Sequence, residues 1–203
     1  LTTWAGLLSC LASYLLGSIP TGYLTGRWCA GVDLRQEGSG STGATNVLRV
    51  VGRGPALVVF LVDVGKGTAA VMLAQATLAE DWWVVLAGLM ALVGHIWPVW
   101  LKGRGGKAVA TGLGVLLGIS WSVALACLGL FLLTLTLSRI VSLASVVAAL
   151  SLPLLTVLKG SAPPAHIAMG LLATGVVLWR HRTNLHRLLQ GSEPRLGQAR
   201  SPQ

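Results

Sequence analysis

Between Trp4 and Trp179 the chain is a succession of long apolar runs joined by short polar connectors, and inside those runs only Asp63 and Lys66 carry a full charge. A bilayer core takes roughly 20 apolar residues per helical crossing. The runs from about Trp4 to Arg27, Pro55 to Leu78, Trp82 to Leu101, Ala108 to Ile119, Trp121 to Leu137, Ile140 to Leu158 and Pro164 to Trp179 therefore predict about seven transmembrane helices. The fourth is short and punctuated by Gly112, Gly114 and Gly118, so six spans, with the fourth fused to the fifth, is the alternative. With 54% hydrophobic and 10% charged residues, the chain excludes both a soluble domain, which carries roughly 25% charge, and a disordered one. The expectation is an all-α, polytopic integral membrane protein with a single membrane-embedded domain over residues 1–203. The first run is too long for a signal peptide and lacks a basic leader and a small-residue cleavage site, so it is expected to be retained.

Charge orients the spans, because Lys and Arg are retained in cytoplasmic loops. Of the 15 basic residues, Arg27, Arg35, Arg49, Arg53, Lys102, Arg104, Lys107, Arg139, Arg180, Arg182, Arg187, Arg195 and Arg200 fall on one predicted side, and only Lys159 on the other. The N-terminus is expected outside and the C-terminus in the cytoplasm. Tryptophan agrees, since it prefers the headgroup level: Trp4, Trp82, Trp83 and Trp121 fall at outer ends, and Trp28, Trp97, Trp100 and Trp179 at inner ends. The basic excess is thus read as membrane topology and not as nucleic-acid binding. Cys10, Cys29 and Cys127 have no CxxC spacing and predict neither a disulfide framework nor zinc.

The residues able to do chemistry gather on the basic side, in three stretches. The first runs from Gly38 through Ser39, Gly43, Thr45 and Asn46 to Arg49. Small residues let amides turn inward, hydroxyls and Asn46 add donors, and Arg49 can clamp an anion. Gly38 to Gly43 matches GxGxxG, but Asp33 to Glu37 before it is no buried strand, which argues against a dinucleotide fold. The second runs from Lys102 to Thr111, with Gly105, Gly106 and Lys107 ahead of an apolar helix, a combination that suits phosphate. Ala108 after Lys107 breaks the P-loop spacing. The third runs from His181 through Asn184 and Arg187 to Glu193; at three-residue spacing His181, Asn184 and Arg187 share one helical face. Taken singly, each stretch is also compatible with an ordinary connector or positive-inside loop. Asp63 and Lys66, three apart, are expected to pair as a structural unit near the site, and His95 to lie at the inner interface.

Together the stretches resemble the bacterial integral-membrane glycerol-3-phosphate acyltransferases that use acyl phosphate as donor, the PlsY family. The resemblance is carried, in order, by Tyr14–Leu24, the Gly38–Arg49 block, Asp63-Val-Gly-Lys-Gly67, Gly94-His-Ile-Trp-Pro98, Gly105–Thr111 and His181 to Glu193. It covers almost the whole chain. It implies that Ser39, Arg49, Lys107, His181 and Asn184 are catalytic, that Gly43, Thr45, Asn46, Gly105, Gly106 and Thr111 bind substrate phosphate, and that Glu193 is structural. Three positions depart from the family pattern: Ser41 replaces the usual Asn, Ala108 the usual Gly, and Arg104 is inserted before Gly105.

The activity implied is transfer of a fatty acyl group from acyl phosphate, a lipid donor in the membrane, to the 1-hydroxyl of glycerol 3-phosphate. The products are lysophosphatidate and inorganic phosphate, with the site at the cytoplasmic side of the bacterial cell membrane. Acyl phosphate is already activated, so no covalent enzyme nucleophile, cofactor or metal is expected, and the residue types suit positioning and electrostatics. Either His181 or a substrate phosphate can take the hydroxyl proton. No HxxxxD pair is present. The rival from another class is a small organic-phosphate transporter, which would use the same basic, Gly-rich mouths.

Overall fold

A backbone in hydrocarbon must satisfy its own hydrogen bonds, and a helix does so within one segment. The computed structural model describes residues 2–160 and 162–197, among which the regular structure is entirely helical. In chain order the helices are α1 (Thr2–Ser18), α2 (Thr21–Ala30), α3 (Ala44–Val50), α4 (Arg53–Thr77), α5 (Asp81–Ile96), α6 (Val109–Ile119), α7 (Trp121–Ser138), α8 (Val141–Leu158), α9 (Pro164–Arg180) and α10 (Arg182–Leu189), with one 3-10 turn at Val99–Leu101.

Five stretches, Thr3–Ala30, Arg53–Thr77, Asp81–Leu101, Trp121–Ser138 and Val141–Leu158, are long and apolar enough to cross a membrane. Two of the seven expected runs are not among them: the last, which forms the 17-residue α9, and the fourth, which shapes the site. It forms α6, with 11 residues, which at about 1.5 Å per residue covers about half of a bilayer core. After a break at Ser120, α7 packs back against it with 18 residues. The two share one apex, so the N-terminal end of α6 stops about 10 Å short of the C-terminal end of α7. That recess is where the polar residues collect.

Glycine lets the helices framing the recess approach closely. A Cβ at Gly67 of α4 would strike the Thr111 carbonyl of α6, and one at Gly114 of α6 would strike the Val64 carbonyl of α4. Gly17 and Gly94 do the same for α1 against α5, as small residues do at membrane helix interfaces generally.

Pro20 breaks the first apolar run into α1 and α2, because proline restricts the residue before it and removes a donor. The break is mended by α4. Lys66 Nζ donates to the Ile19 carbonyl at 3.0 Å, the Thr21 hydroxyl to Asp63 Oδ1 at 3.3 Å, and Asp63 pairs with Lys66 at 2.8 Å. Both charged side chains are at least 96% buried. Removing one partner of such a pair strands the other, so Asp63→Ala is expected to cost about 3–5 kcal/mol of stability. Thermal unfolding in detergent should show Asp63→Ala with a markedly lower Tm and Asp63→Leu/Lys66→Met recovering a large part of it; equal loss in both would show that the charge imbalance is not the cause.

Trp97 and Trp179, both assigned to inner ends, stack with ring centroids 5.6 Å apart. Their two helix ends therefore lie on the same side of the bundle.

Candidate active site

Three loops meet at the recess, each with its own local reason for its shape. The first, between α2 and α3, is built around Asn46. Its amide nitrogen lies 3.1, 3.0 and 2.8 Å from the carbonyls of Leu34, Glu37 and Ser41, and its oxygen accepts the Ser39 N–H at 2.8 Å. Gly38 has a φ of 61°, and a Cβ there would collide with the Asn46 oxygen; only glycine suits both conditions. Gly43 then leads into α3, which carries Thr45 and Arg49.

The second loop precedes α6. The amides of Gly105 and Gly106 donate to the carbonyls of Ile96 and His95 at 3.1 and 3.0 Å, and Arg180 donates to the Gly106 carbonyl at 2.9 Å. A Cβ on either glycine would run into His95. The loop is thus pinned flat against the end of α5, and the chain turns at Ala108, which holds the left-handed φ of 60°. That conformation costs an L-residue roughly 1–2 kcal/mol relative to its right-handed form, which is why glycine suits this position. Lys107 projects from the turn.

The third segment is the end of α9. The helix stops at Arg180, and His181 joins it to α10. His181 Nδ1 lies 2.8 Å from the Val177 carbonyl. A carbonyl only accepts, so Nδ1 carries the proton and Nε2 keeps the lone pair. Lys107 Nζ donates to Asn184 Oδ1, and Asn184 Nδ2 donates to Glu193 Oε1 at 2.6 Å. Ser142 of α8 donates to the same oxygen at 2.7 Å, and Arg187 Nε to Glu193 Oε2 at 2.7 Å. Glu193 therefore anchors Asn184, which in turn holds Lys107.

The environment sets the charges. Burial, reinforced by the Lys107 cation, pushes the His181 imidazole down to about 4 against the raising effects of its Val177 bond and of Glu193, so the ring is neutral near pH 7. Burial also lowers Lys107 to about 8, opposed by Glu193 and assisted by Arg187, Arg180 and Arg49. At Glu193 burial works upward, but hydrogen bonds from Asn184, Ser142 and Arg187 outweigh it and keep the carboxyl below its usual range. Cations and a neutral imidazole thus coexist in one cavity.

Ser39, Arg49, Lys107, His181 and Asn184 all line that cavity, with Gly43, Thr45, Asn46, Asp63 and Glu193. The first residues of α6, Ala108 to Ala110, also form its wall and place a helix N-terminus beside the cations, an arrangement suited to anions. A second, apolar cavity runs from here between α6, α7, α8 and α9. The two share Phe60, Ala108, Val109, Ala110, Phe131 and Ser145.

Four of the expected phosphate contacts have other work. Gly105 and Gly106 are buried with their amides committed to α5. Thr111 is fully buried, its hydroxyl 3.1 Å from His95 Nδ1. Asn46 borders the cavity, but its amide donors serve three loop carbonyls. These residues shape the walls. Lys66 does not line the cavity and braces the α1–α2 break instead. Ser41, one of the departures, lines the cavity, gives its carbonyl to Asn46 and accepts the Gly43 N–H at its hydroxyl at 3.4 Å. Arg104 is exposed.

Ser142 and Arg180 have roles in the site, holding Glu193 and the Gly106 carbonyl, that their sequence positions do not announce. Ser142 sits among small and apolar residues near the start of α8, where a serine carries no charge to mark it, and Arg180 reads as one more inside charge. The adjacency of Arg180 to His181 was the one available signal.

Comparisons with known proteins identify the family. The family model described as glycerol-3-phosphate acyltransferase matches residues 7–191. A glycerol-3-phosphate acyltransferase of Prochlorococcus marinus (strain MIT 9313) is 65% identical over 198 residues, covering 97% of each chain. One of Synechococcus sp. (strain CC9902) is 63% identical over 194 residues, 96% of each. The crystal structure of PlsY, an integral membrane glycerol 3-phosphate acyltransferase, in its glycerol 3-phosphate form superposes with a TM-score of 0.90 at 39% identity, over 95% of this chain and 96% of that one. A lysophosphatidic acid form of PlsY gives 0.87 at 38% identity, with 95% of each chain covered. A helical membrane bundle that gathers Arg49, Lys107, His181 and Asn184 in one recess, with relatives of this likeness along nearly its whole length, belongs to the PlsY family of integral-membrane glycerol-3-phosphate acyltransferases.

Proposed function

We propose that the chain transfers a fatty acyl group from acyl phosphate to the 1-hydroxyl of glycerol 3-phosphate, releasing lysophosphatidate and inorganic phosphate as the first acylation of phospholipid synthesis. The observation that carries this reading is the junction of the two cavities. A polar chamber with Arg49, Lys107 and the α6 N-terminus opens into an apolar groove through Phe60, Ala108, Val109, Ala110, Phe131 and Ser145. A donor with a phosphate head and a long acyl tail has this same division, and so does the lysophosphatidate product.

In the reaction the glycerol 1-oxygen attacks the carbonyl carbon, a new ester C–O bond forms, and the C–O bond to phosphate breaks. Arg49 and Lys107 bring two anionic phosphates together and neutralise the one that leaves. Ser39 and Asn184 stand as polar groups beside them. The hydroxyl proton passes to His181 Nε2 or to a phosphate oxygen, and it leaves with the released phosphate in the net balance. No enzyme acyl intermediate is needed because the anhydride is already activated.

The site end of the bundle carries most of the basic residues, which supports a cytoplasmic active site, an outer N-terminus and an inner C-terminus in the bacterial cell membrane. Glycerol 3-phosphate then enters from the cytoplasm and the donor from the bilayer.

Purified protein given glycerol 3-phosphate with palmitoyl phosphate or, separately, palmitoyl-CoA tests the donor. The expected result is lysophosphatidate and phosphate from palmitoyl phosphate alone. Product from the thioester alone would overturn the donor, and no product from either in a folded sample would overturn the reaction.

A further inference from the structure

The apolar groove has a floor, and its depth is measurable along four helices at once. On α6 its lining runs from Ala108, ahead of the first turn, to Leu116; on α9 from Val177 to Met169; on α8 from Ser145 to Leu152; and on α7 from Leu132 to Cys127. Eight residues of helix advance about 12 Å. The α6, α8 and α9 linings therefore end at a similar distance from the polar chamber, while on α7 the lining stops sooner, at Cys127, about 8 Å from Leu132.

One helical turn farther along the same helices a separate cavity begins, lined by Ile119 of α6, Val123 of α7, Thr156 of α8 and His166, just inside the start of α9. Among the described residues, Leu116 and Met169 alone line both cavities. Met169 is 2% exposed and belongs to the main core cluster. The space between the helices is thus one passage interrupted by two side chains.

We infer that Leu116 and Met169 are the stop that sets how much of the acyl chain the protein holds. The inference rests on the acyl-phosphate reading above. With a carbon–carbon bond of about 1.5 Å, an extended chain advances about 1.3 Å per methylene, so a 12 Å groove takes about nine or ten carbons. Longer chains meet the stop and turn out to lipid, toward which the groove is open along α7, where Leu132 is 49% exposed. Each carbon inside the groove fills space that is otherwise void and gains contacts; each carbon beyond the stop moves from lipid to lipid and gains nothing. Leu116 and Met169 are specificity residues by this account and touch no reacting atom.

The test is internal competition among acyl phosphates of six to 18 carbons at equal mole fraction in one micelle, read as product ratios. Wild type is expected to gain about twofold per carbon up to ten carbons, on the order of tenfold in all, below the full burial value because the micelle is already apolar. From 12 to 18 carbons the profile should be flat within about twofold. Leu116→Ala/Met169→Ala joins the two cavities and should move the break by one helical turn, about four carbons, while the volume-keeping Met169→Leu leaves it in place. A break that stays at ten carbons in a double variant still active on decanoyl phosphate overturns the stop.

Cys127 gives a reading that needs no variant, because it lines the groove on the way to the stop, about five residues or about 8 Å of helix from Leu132 at the mouth, a depth that about six carbons reach. A non-hydrolysable ten-carbon acyl phosphonate should slow its alkylation by a small thiosulfonate at least fivefold, and a four-carbon one should not; equal rates with both would overturn the proposal. Failure of wild type to use any acyl phosphate would instead sink the reaction assigned above, and the alkylation rates would still report on the groove.

Discussion

Lys107→Ala is expected to lower kcat/KM for acyl transfer by about 100- to 1,000-fold, the range set by removing one preorganised charge-stabilising donor from an active site. The side chain lines the cavity and is held in place by Asn184, itself anchored by Glu193. In the proposed reaction two phosphates approach within one small chamber, and without Lys107 the burden falls on Arg49 and the α6 N-terminus. Lys107→Arg retains the charge but not the compact ammonium geometry, so it should recover only part of the loss.

A pH signature separates charge from mere support. The Lys107 ammonium is held at about 8 by burial, so it is protonated and active below that value and lost above it. The profile of kcat/KM, which reports the free enzyme, should therefore fall as pH rises through about 8 in wild type. In Lys107→Arg the guanidinium stays charged, and the alkaline fall should vanish from the measurable range. An identical alkaline limb in both proteins would assign it to another group and remove Lys107 as its source.

His181→Ala is the second large effect, a loss of about 100- to 10,000-fold in kcat if the ring takes the hydroxyl proton. Its tautomer is set by Val177, with Nε2 unprotonated, and the ring is already neutral at pH 7 because its pKa is depressed to about 4. The sign follows directly: the active, unprotonated form persists as pH falls until about 4. A phosphate monoester, by contrast, gains its proton near pH 6. Wild-type kcat/KM with an acid limb near 4 that disappears in His181→Ala assigns the proton to the imidazole. A limb near 6 that survives the substitution, with kcat little changed, assigns it to substrate phosphate.

The residues bearing on these predictions were legible to different degrees. Lys107, Arg49, His181 and Asn184 stood out because charged and polar side chains are costly in an apolar chain and gather only where something uses them. The helical, membrane-spanning character was legible for the same reason: a run of apolar residues with no alternation has few other homes. The Asp63–Lys66 pair was readable from its spacing alone, since residues three apart on a helix meet. Its attachment to Ile19 and Thr21 was not, because those partners lie more than 40 positions away.

The sequence by itself determined the material of this protein: an all-helical membrane chain, its charge asymmetry, and three polar stretches suited to phosphate. Only the tertiary structure decided which members of those stretches line the polar cavity. Gly105, Gly106 and Thr111 have the composition of a phosphate loop, yet their amides and hydroxyl are consumed by α5, while Ser142, an ordinary serine near the start of α8, supports Glu193. The recess itself arises from the mismatch between 11-residue α6 and 18-residue α7. Periodicity and spacing report which residues share a face of one helix. Which donor meets which acceptor, and how deep a groove runs before two side chains close it, is settled when helices distant in sequence pack together.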